Sequence, residues 1–253
     1  MPISGGGGII VVTTLLPDPS QIFLPTNLMA WLDAADNFSG TTALDRTANH
    51  NNFFQIGGAP FISPVSFNGK AGYNFSATFG TGLFDNGVNG DNFPPIGTSG
   101  AIFCTLRVDT TVSTFPRIFS FAQSPVGDDN NTASICMGCN DAGAQPNVGA
   151  LFNSTGNASS PNFSFGSYHR VGVVWNPTTV WTYFDNAATD GGVAASLNVS
   201  GAITSPFTAA FGAAKNGGNN LNGQMGDMVV VNVTPTTTQL NQLDAYFRDR
   251  YGI

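Results

Sequence analysis

The sequence contains no glutamate, so all 15 of its acidic residues are aspartate. Glutamate favours helices, whereas aspartate, asparagine and glycine favour turns, so this composition predicts strands and turns more than helices. The absence also removes the residue type that most carbohydrate-cleaving acid/base pairs use, although two aspartates could do the same chemistry. Charged residues make up only 9% of the chain. We therefore expect a surface covered mainly by Asn, Thr, Ser and Gly.

Basic residues are equally scarce. Lys70 and Lys215 are the only lysines, and the formal net charge is -7. A protein that binds a phosphate backbone needs clustered lysine and arginine to displace its counterions. This chain has no basic run, so we do not expect nucleic acid as a partner.

The three cysteines do not form a closed disulfide framework, because their number is odd. Cys136 and Cys139 have the spacing of a redox or zinc motif, but no second CxxC or histidine pair accompanies them. We expect Cys104, Cys136 and Cys139 to be buried or incidental thiols.

Long hydrophobic runs and a positively charged leader are also missing at the N-terminus. Residues 9–16 are too short and too rich in threonine for a membrane span. We therefore expect no membrane insertion and synthesis in the cytoplasm without a signal peptide.

Residues 1–27 have the composition of an extended arm. A glycine run opens the segment, and Pro17, Pro19 and Pro25 punctuate its end. Between them lie β-branched residues suited to strand addition on a neighbour's sheet. The residues expected to make these contacts are Ile9, Ile10, Val11 and Val12. We expect the compact domain to span residues 28–253.

The clearest pattern in that domain is a β-hairpin over residues 168–175 and 179–184. Apolar and polar residues alternate in both segments, as they do in half-buried strands. Asn176 and Pro177 supply the turn. Further segments with strand composition are residues 101–108, 117–121, 148–152, 162–165, 209–212 and 225–232. Many short strands with frequent turns predict an all-β, antiparallel sandwich.

One helix is predicted, at the C-terminal end. Thr236 or Thr237 can cap it, and Leu240, Leu243 and Phe247 then lie on one face.

Several blocks in order resemble the concanavalin A-like, laminin-G-like jelly-roll superfamily, of the kind found in bacteriophage virion proteins. The opening block is LMAWLDAAD at residues 28–36, and the hairpin supplies HRVGVVW and TYFDN. The later blocks are LNGQMGDMVVVN at residues 221–232 and LDAYFRDRYGI at residues 243–253. The resemblance implies an antiparallel jelly-roll sandwich with an extended N-terminal arm and a short C-terminal helix.

The departures from that superfamily bear on activity. Its glycosidases carry a strand with two glutamates flanking an aspartate, which this chain cannot supply, so the resemblance implies a domain that is not an enzyme. Its calcium-binding members use carboxylates and asparagines in loops. Asp128, Asp129 and Asn130 are weak candidates for such a site. An exposed turn is the alternative, and no other cofactor is expected.

The face of the hairpin opposite Val180 carries Trp181 and Tyr183. These aromatics could contact a subunit or the arm, form ordinary core, or stack on a sugar ring. Asn219 and Asn220 could bind sugar hydroxyls, although a flexible turn is the default interpretation. His169 has no evident triad partner in the sequence, so we expect it to be structural or exposed.

Three functions remain at this point. The first is a bacteriophage virion structural protein, a capsid decoration protein or head fibre on the virion surface, with other virion subunits and its own copies as partners. The second is a glycan-binding module for host attachment, on a tail appendage or as a surface adhesin. The third, and the least favoured, is a hydrolase, because it would need a pair of aspartates and nothing in the sequence brings two particular aspartates together.

Overall fold

The structure is a computed structural model of the chain. It describes residues 16–35, 38–39, 41–56, 64–76, 82–85, 93–94, 96–110, 115–123, 134–141, 146–152, 155–185, 193–198, 207–214 and 218–253.

These residues form two helices and seventeen strands. The helices are α1 (Pro19–Ile22) and α2 (Thr237–Tyr251). The strands are β1 (Leu28–Leu32), β2 (Phe38–Ser39), β3 (Thr42–Ala43), β4 (Phe53–Ile56), β5 (Pro64–Phe67), β6 (Lys70–Phe75), β7 (Gly82–Asp85), β8 (Gly100–Val108), β9 (Arg117–Gln123), β10 (Ser134–Asp141), β11 (Pro146–Phe152), β12 (Thr155–Ser159), β13 (Tyr168–Trp175), β14 (Thr179–Phe184), β15 (Val193–Asn198), β16 (Phe207–Phe211) and β17 (Gly223–Val231).

The strands lie in two sheets. The first sheet has the order β15-β14-β13-β8-β17-β6-β5, with β1 also paired to β17. The second sheet has the order β12-β11-β10-β9-β16-β7-β4-β3-β2. The pairings among the described strands are antiparallel. The predicted all-β, antiparallel jelly-roll sandwich is confirmed.

The main core lies between the two sheets and is rich in phenylalanine. Phe53 packs on Phe211 with ring centroids 5.1 Å apart, and Phe93 packs edge-on against Phe121 at 5.3 Å. The first sheet contributes Ile102, Cys104, Leu106, Val171, Val173 and Trp175 to the same cluster. Edge-to-face aromatic packing adds to the stabilisation that comes from burying apolar area.

The predicted hairpin is β13–β14, with the expected turn. Val171 lies opposite Phe184, Val173 opposite Thr182 and Trp175 opposite Val180. The Asn176 side chain accepts hydrogen bonds at 2.9 Å from the backbone N–H groups of Thr178 and Thr179. The alternation read from the sequence therefore matches the observed register.

Helix α2 is also confirmed, and it covers the outer face of the first sheet. Thr236 is the N-cap, with Gln239 completing a capping box, and Gly252 ends the helix in the left-handed conformation at φ 67°. Its buried residues are Leu240, Leu243, Tyr246, Phe247 and Tyr251. They form a second apolar cluster with the outer faces of β1, β8, β13, β14 and β17.

Two details differ from the sequence predictions. Ile22 and Phe23 are buried in the α2 cluster, and the Gln239 side chain donates to the Ile22 carbonyl at 3.1 Å. The compact region therefore begins before residue 28, because α1 provides apolar side chains that the helix needs as partners. Residues 162–165, predicted as a strand, form a loop that leads into Gly166 at φ 78°. Ile9, Ile10, Val11 and Val12 lie outside the described residues.

Candidate functional site

Three polar side chains meet at the open end of the β13–β14 hairpin, opposite its turn. The Ser167 hydroxyl lies 2.5 Å from His169 Nε2. The other ring nitrogen, Nδ1, lies 2.7 Å from Asp185 Oδ2. A serine, a histidine and an aspartate thus form one continuous hydrogen-bonded chain, which is the connectivity of a nucleophile, a base and the residue that orients the base.

The hairpin register brings these residues together. Val171 pairs with Phe184, so Arg170 lies opposite Asp185. The Arg170 N–H donates to Asp185 Oδ1 at 2.9 Å, and the Asp185 N–H donates to the Arg170 carbonyl at 2.8 Å. Asp185 has φ 57°, a left-handed conformation that is uncommon outside glycine. The hairpin therefore fixes the carboxylate in position and orientation.

Two aromatic rings confine the imidazole of His169. The ring centroids of Phe163 and Phe184 lie 4.6 Å and 4.7 Å from it, and the histidine is only 8% exposed. Confinement removes alternative rotamers, so the ring keeps both nitrogens aimed at Ser167 and Asp185.

Ser167 is half-buried at the start of the strand, and its hydroxyl also contacts the Ser164 carbonyl. A hydroxyl has one proton to donate. When His169 Nδ1 donates to Asp185, Nε2 is left as an acceptor that competes with the Ser164 carbonyl for that proton.

The sequence predicts a structural or exposed histidine, and the structure shows His169 buried and hydrogen-bonded to Ser167 and Asp185. Ser167 and His169 are two residues apart and point to the same side of an extended segment. The hairpin register, which the sequence predicts, brings Asp185 beside them. These two signals together place the three residues near one another, but they do not predict the hydrogen bonds between them.

The opposite face of the hairpin lies beneath α2. Tyr183 is 9% exposed and packs on Phe103 with ring centroids 6.0 Å apart, and its burial raises the pKa of its hydroxyl. Trp181 is half-buried against the same cluster. Of the alternatives left open by the sequence, Tyr183 forms part of the core, because α2 covers that face.

A small cavity remains between α2 and the hairpin. Phe103, Tyr183 and Phe247 contribute to its lining, and its volume is about 20 Å³. That volume is close to the space one water molecule requires, so the cavity is too small for a sugar ring. The Arg170 Nε–Asp244 Oδ1 ion pair, at 2.6 Å, lies beside the cavity.

The predicted asparagine pair lies in the connection between β16 and β17. Asn219 is half-buried with φ 48°, and its carbonyl accepts the Arg117 N–H at 2.7 Å. Asn220 is 4% exposed. Asn219 is therefore anchored to β9, and Asn220 offers little surface to a sugar.

A group of buried charges, which we name the clasp, joins residues far apart in the chain. It consists of Asp33, Asp227, Tyr246, Arg250 and Tyr251. The Tyr251 hydroxyl donates to Asp227 Oδ1 at 2.5 Å, Tyr246 donates to Oδ2, and Arg250 Nε lies 3.0 Å from Oδ2. Arg250 also pairs with Asp33. The clasp therefore ties the opening block and β17 to the last turns of α2.

Electrostatics in the clasp follow from burial. Neither carboxylate has exposed surface. Desolvation, reinforced by the charge of Asp33, raises the pKa of Asp227, while Arg250 and the two tyrosine hydroxyls oppose the shift. Burial and the Asp227 charge raise the pKa of both Tyr246 and Tyr251. Because both carboxylates are buried, we interpret the contacts of the clasp as stabilising the fold.

The cysteines and metal candidates can be placed in turn. Cys104, Cys136 and Cys139 form no disulfide and are buried, as predicted, and burial raises the pKa of Cys139 to about 12. The described residues contain no group of three or more His, Cys, Asp or Glu side chains suited to a metal ion. Asp128, Asp129 and Asn130 lie outside them. No helix in the described ranges is long and apolar enough to cross a membrane.

Comparisons with known proteins identify the fold. No model of a protein family matches the chain, and no curated protein sequence matches it. Domain 4 of AbnA, an extracellular arabinanase of Geobacillus stearothermophilus solved with arabinotriose, is similar in structure at 12% identity with a TM-score of 0.58. The match covers 86% of this chain and 98% of that domain.

A sialidase of Trypanosoma rangeli, solved with sialic acid, matches 89% of this chain at 11% identity with a TM-score of 0.61. The chain spans 33% of the sialidase's length. At these identities the two matches support the jelly-roll β-sandwich fold.

Proposed function

We propose that the chain is a structural protein of a bacteriophage virion, a capsid decoration protein or head fibre. In this role the β-sandwich is displayed on the particle surface. The N-terminal segment docks on neighbouring virion subunits, including other copies of the chain.

The observation that carries the proposal is the location of exposed apolar side chains. Among the described residues, the large hydrophobic side chains that are exposed are Leu16, at 43%, and Leu24, at 66%. Both lie in the short segment that precedes β1. Single exposed leucines are common, but two of them on one segment make a contact surface for another protein.

The same segment is anchored to the domain, which suits a docking element. Asp18 caps α1 with its side chain and Gln21 completes the capping box, while Ile22 and Phe23 pack beneath. Leu16 lies in a recess with Tyr246 and Arg250 of α2. A contact made at Leu16 and Leu24 would therefore hold the sandwich rigidly from the α2 side and leave the outer face of the second sheet free.

The composition is consistent with this role. Only 9% of the residues are charged. A surface of uncharged polar residues suits subunit contacts, because burying uncharged polar groups costs less free energy than burying charges.

Incorporation into particles tests the proposal. Phage particles are assembled in a host that supplies either the full chain, a chain lacking residues 1–15, or Leu24→Asp, and the amount in purified particles is measured. We expect both changes to lower incorporation at least tenfold. The truncation stops before α1, so the packed residues Ile22 and Phe23 stay in place. Thr238→Asp is the matched control, because it adds the same charge at an exposed position in the first turn of α2.

Unchanged incorporation of both altered chains would contradict the docking role. Loss with Thr238→Asp as well would show that any added charge on this side is harmful, and it would remove the specific role of Leu24.

Glycan binding is the second candidate, and one comparison favours it. The arabinanase domain that this chain matches over 98% of its length was solved with arabinotriose. Trp181, half-buried at the edge of the α2 cluster, is the side chain of the predicted platform that keeps surface for stacking.

A glycan array that includes arabino-oligosaccharides tests this candidate with wild type and Trp181→Ala. Binding that falls at least tenfold in the variant supports a site at the hairpin. Phe165→Ala is the control, since that ring is half-buried beside the other cluster. Absence of binding to any glycan would contradict the candidate, and equal binding by wild type and Trp181→Ala would exclude this platform.

A further inference from the structure

We propose that Ser167 is an activated nucleophile that accepts acyl groups from small esters. His169 is its general base, and Asp185 is the residue that positions the base. The inference is independent of the virion role, because it rests on different residues.

The distances meet the requirement for proton transfer. A base must lie within hydrogen-bond reach of the proton it removes, and a third group must orient it. Ser167 Oγ lies 2.5 Å from His169 Nε2, and Nδ1 lies 2.7 Å from Asp185 Oδ2. Asp185 places the proton on Nδ1, so Nε2 carries the lone pair that accepts the serine proton.

The backbone conformation of Asp185 is a second observation. Asp185 adopts φ 57°, which is uncommon outside glycine, although aspartate and asparagine adopt it more readily than other residues do. Such conformations persist where the surroundings hold them, and they concentrate at functional sites. Here two hydrogen bonds to the backbone of Arg170 hold Asp185, and two aromatic rings hold His169.

The reaction is an acyl transfer from an ester. Ser167 Oγ attacks the carbonyl carbon while its proton moves to His169 Nε2. The C–O bond to the alcohol then breaks, and the Nε2 proton goes to the departing oxygen, which leaves an acyl-serine and a free alcohol. Water, deprotonated by the same nitrogen, can later attack the acyl carbon, which releases the carboxylic acid and restores the serine hydroxyl.

Both halves of this reaction pass through a tetrahedral intermediate, so both are expected to be slow. An ester with a good leaving group acylates Ser167 faster than water removes the acyl group. Stabilisation of the tetrahedral intermediate requires N–H donors aimed at its oxygen, and each is worth roughly 10²–10³-fold in rate. The Gly166 N–H already donates to the Val108 carbonyl at 2.7 Å, and the Ser167 N–H donates to the Ser164 carbonyl at 3.3 Å. With both neighbouring amides engaged, Ser167 becomes a site of acyl modification, and turnover stays low.

The competing interpretation is a structural clip, in which Ser167 donates its proton to the Ser164 carbonyl and does not react. The two interpretations differ in whether the hydroxyl attacks an electrophile. Chemical labelling separates them.

The experiment treats the full chain with p-nitrophenyl acetate and, separately, with a fluorophosphonate. Intact-mass spectrometry counts the added groups, and peptide mapping locates them. We expect one group per chain, on Ser167, and release of p-nitrophenol in a stoichiometric burst. His169→Gln and Asp185→Asn should lower the labelling rate roughly 10²–10⁴-fold, since they remove the base or its correct tautomer. Asparagine tolerates the positive φ at position 185, so that variant keeps the backbone conformation.

Ser164→Ala is the matched control, because it removes an exposed serine hydroxyl three residues away and keeps the carbonyl. It should label as wild type does. Wild type unfolded in urea supplies a test that needs no variant, and Ser167 should then lose its reactivity. The proposal is overturned if folded wild type is not labelled at Ser167, if unfolded wild type labels there as fast, or if Ser167→Ala takes up the same amount of label.

Discussion

Arg250 extends from the last turn of α2 and places its Nε 3.0 Å from Oδ2 of Asp227, a carboxylate with no exposed surface. The opening block of the domain, strand β17 and the C-terminal helix all meet at this contact. A helix that might otherwise lie loosely on a sheet is thereby fixed at its C-terminal end, in addition to its apolar contacts.

Replacing Arg250 by alanine should therefore destabilise the protein strongly. Breaking a buried ion pair by removing one partner typically costs about 3–5 kcal/mol, because the other charge is left without compensation. Arg248→Ala is the control, since Arg248 is 61% exposed and lies 3.7 Å from Asp244. Its loss should cost less than about 1 kcal/mol. Urea unfolding measures the free energy of unfolding of both variants. Equal losses would show that the ion pairs of Arg250 stabilise the fold no more than an exposed ion pair does.

The clasp should also make stability depend on pH. The raised pKa of Asp227 means that the folded chain binds this proton more tightly than the unfolded chain does. Its contribution to the free energy of unfolding is thus complete below the ordinary value of 3.8 and decreases as pH rises through the raised value. Asp227→Asn cannot titrate and should lack that decrease.

Urea midpoints of wild type and Asp227→Asn at a series of pH values above 3.8 test this. We expect the stability of wild type relative to the variant to fall as pH rises. A difference between the two proteins that does not change with pH would refute the role of burial at Asp227.

Two glycines with positive φ allow backbone strain and steric overlap to be separated. A Cβ added at Gly212, φ 74°, would lie 2.0 Å from the Phe75 ring, whereas one added at Gly69, φ 82°, would meet no atom within 4 Å. Gly69→Ala should cost about 1–2 kcal/mol, from the left-handed conformation alone. Gly212→Ala should cost a further 1–3 kcal/mol or so, because the core must also repack. Thermal unfolding gives both values, and equal losses would mean that Phe75 moves aside freely.

The thiols should be inert in the folded protein. Cys104, Cys136 and Cys139 are buried, and burial raises the pKa of Cys104 and Cys139, which disfavours the reactive thiolate form. A thiol reagent such as DTNB should therefore react with them only after the chain is unfolded in urea. Fast reaction of a cysteine in native buffer would show that the core opens more readily than its packing indicates.

The elements predicted well are those whose signals are local. The β13–β14 hairpin combines alternation with an Asn176–Pro177 turn, and α2 combines a Thr236 cap with an apolar face. Each needs only neighbouring residues to be recognised.

Predicting the burial of Tyr183 from the sequence required combining two of these signals. The apolar face of α2, with Leu240, Leu243 and Phe247, had to lie against something, and the second face of the hairpin was available. Alternation shows that a strand has two faces, but it does not show what covers each one. That depends on a helix more than fifty residues later in the chain.

The Ser167–His169–Asp185 group was missed for a different reason. Its connection depends on side-chain directions at the end of a strand and on the positive φ of Asp185, neither of which has a pattern in the sequence. The register alone would have placed Asp185 near Arg170, but the hydrogen bond to His169 also depends on the two confining phenylalanines.

The central claim, that this β-sandwich is part of a virion surface, is tested most directly by locating the chain on particles. Intact phage purified from a host lysate is labelled with a gold-conjugated antibody raised against residues 28–253 and imaged by electron microscopy. The account predicts gold on the surface of the particle head. Particles without gold, with the chain recovered only as free protein from the same lysate, would contradict it.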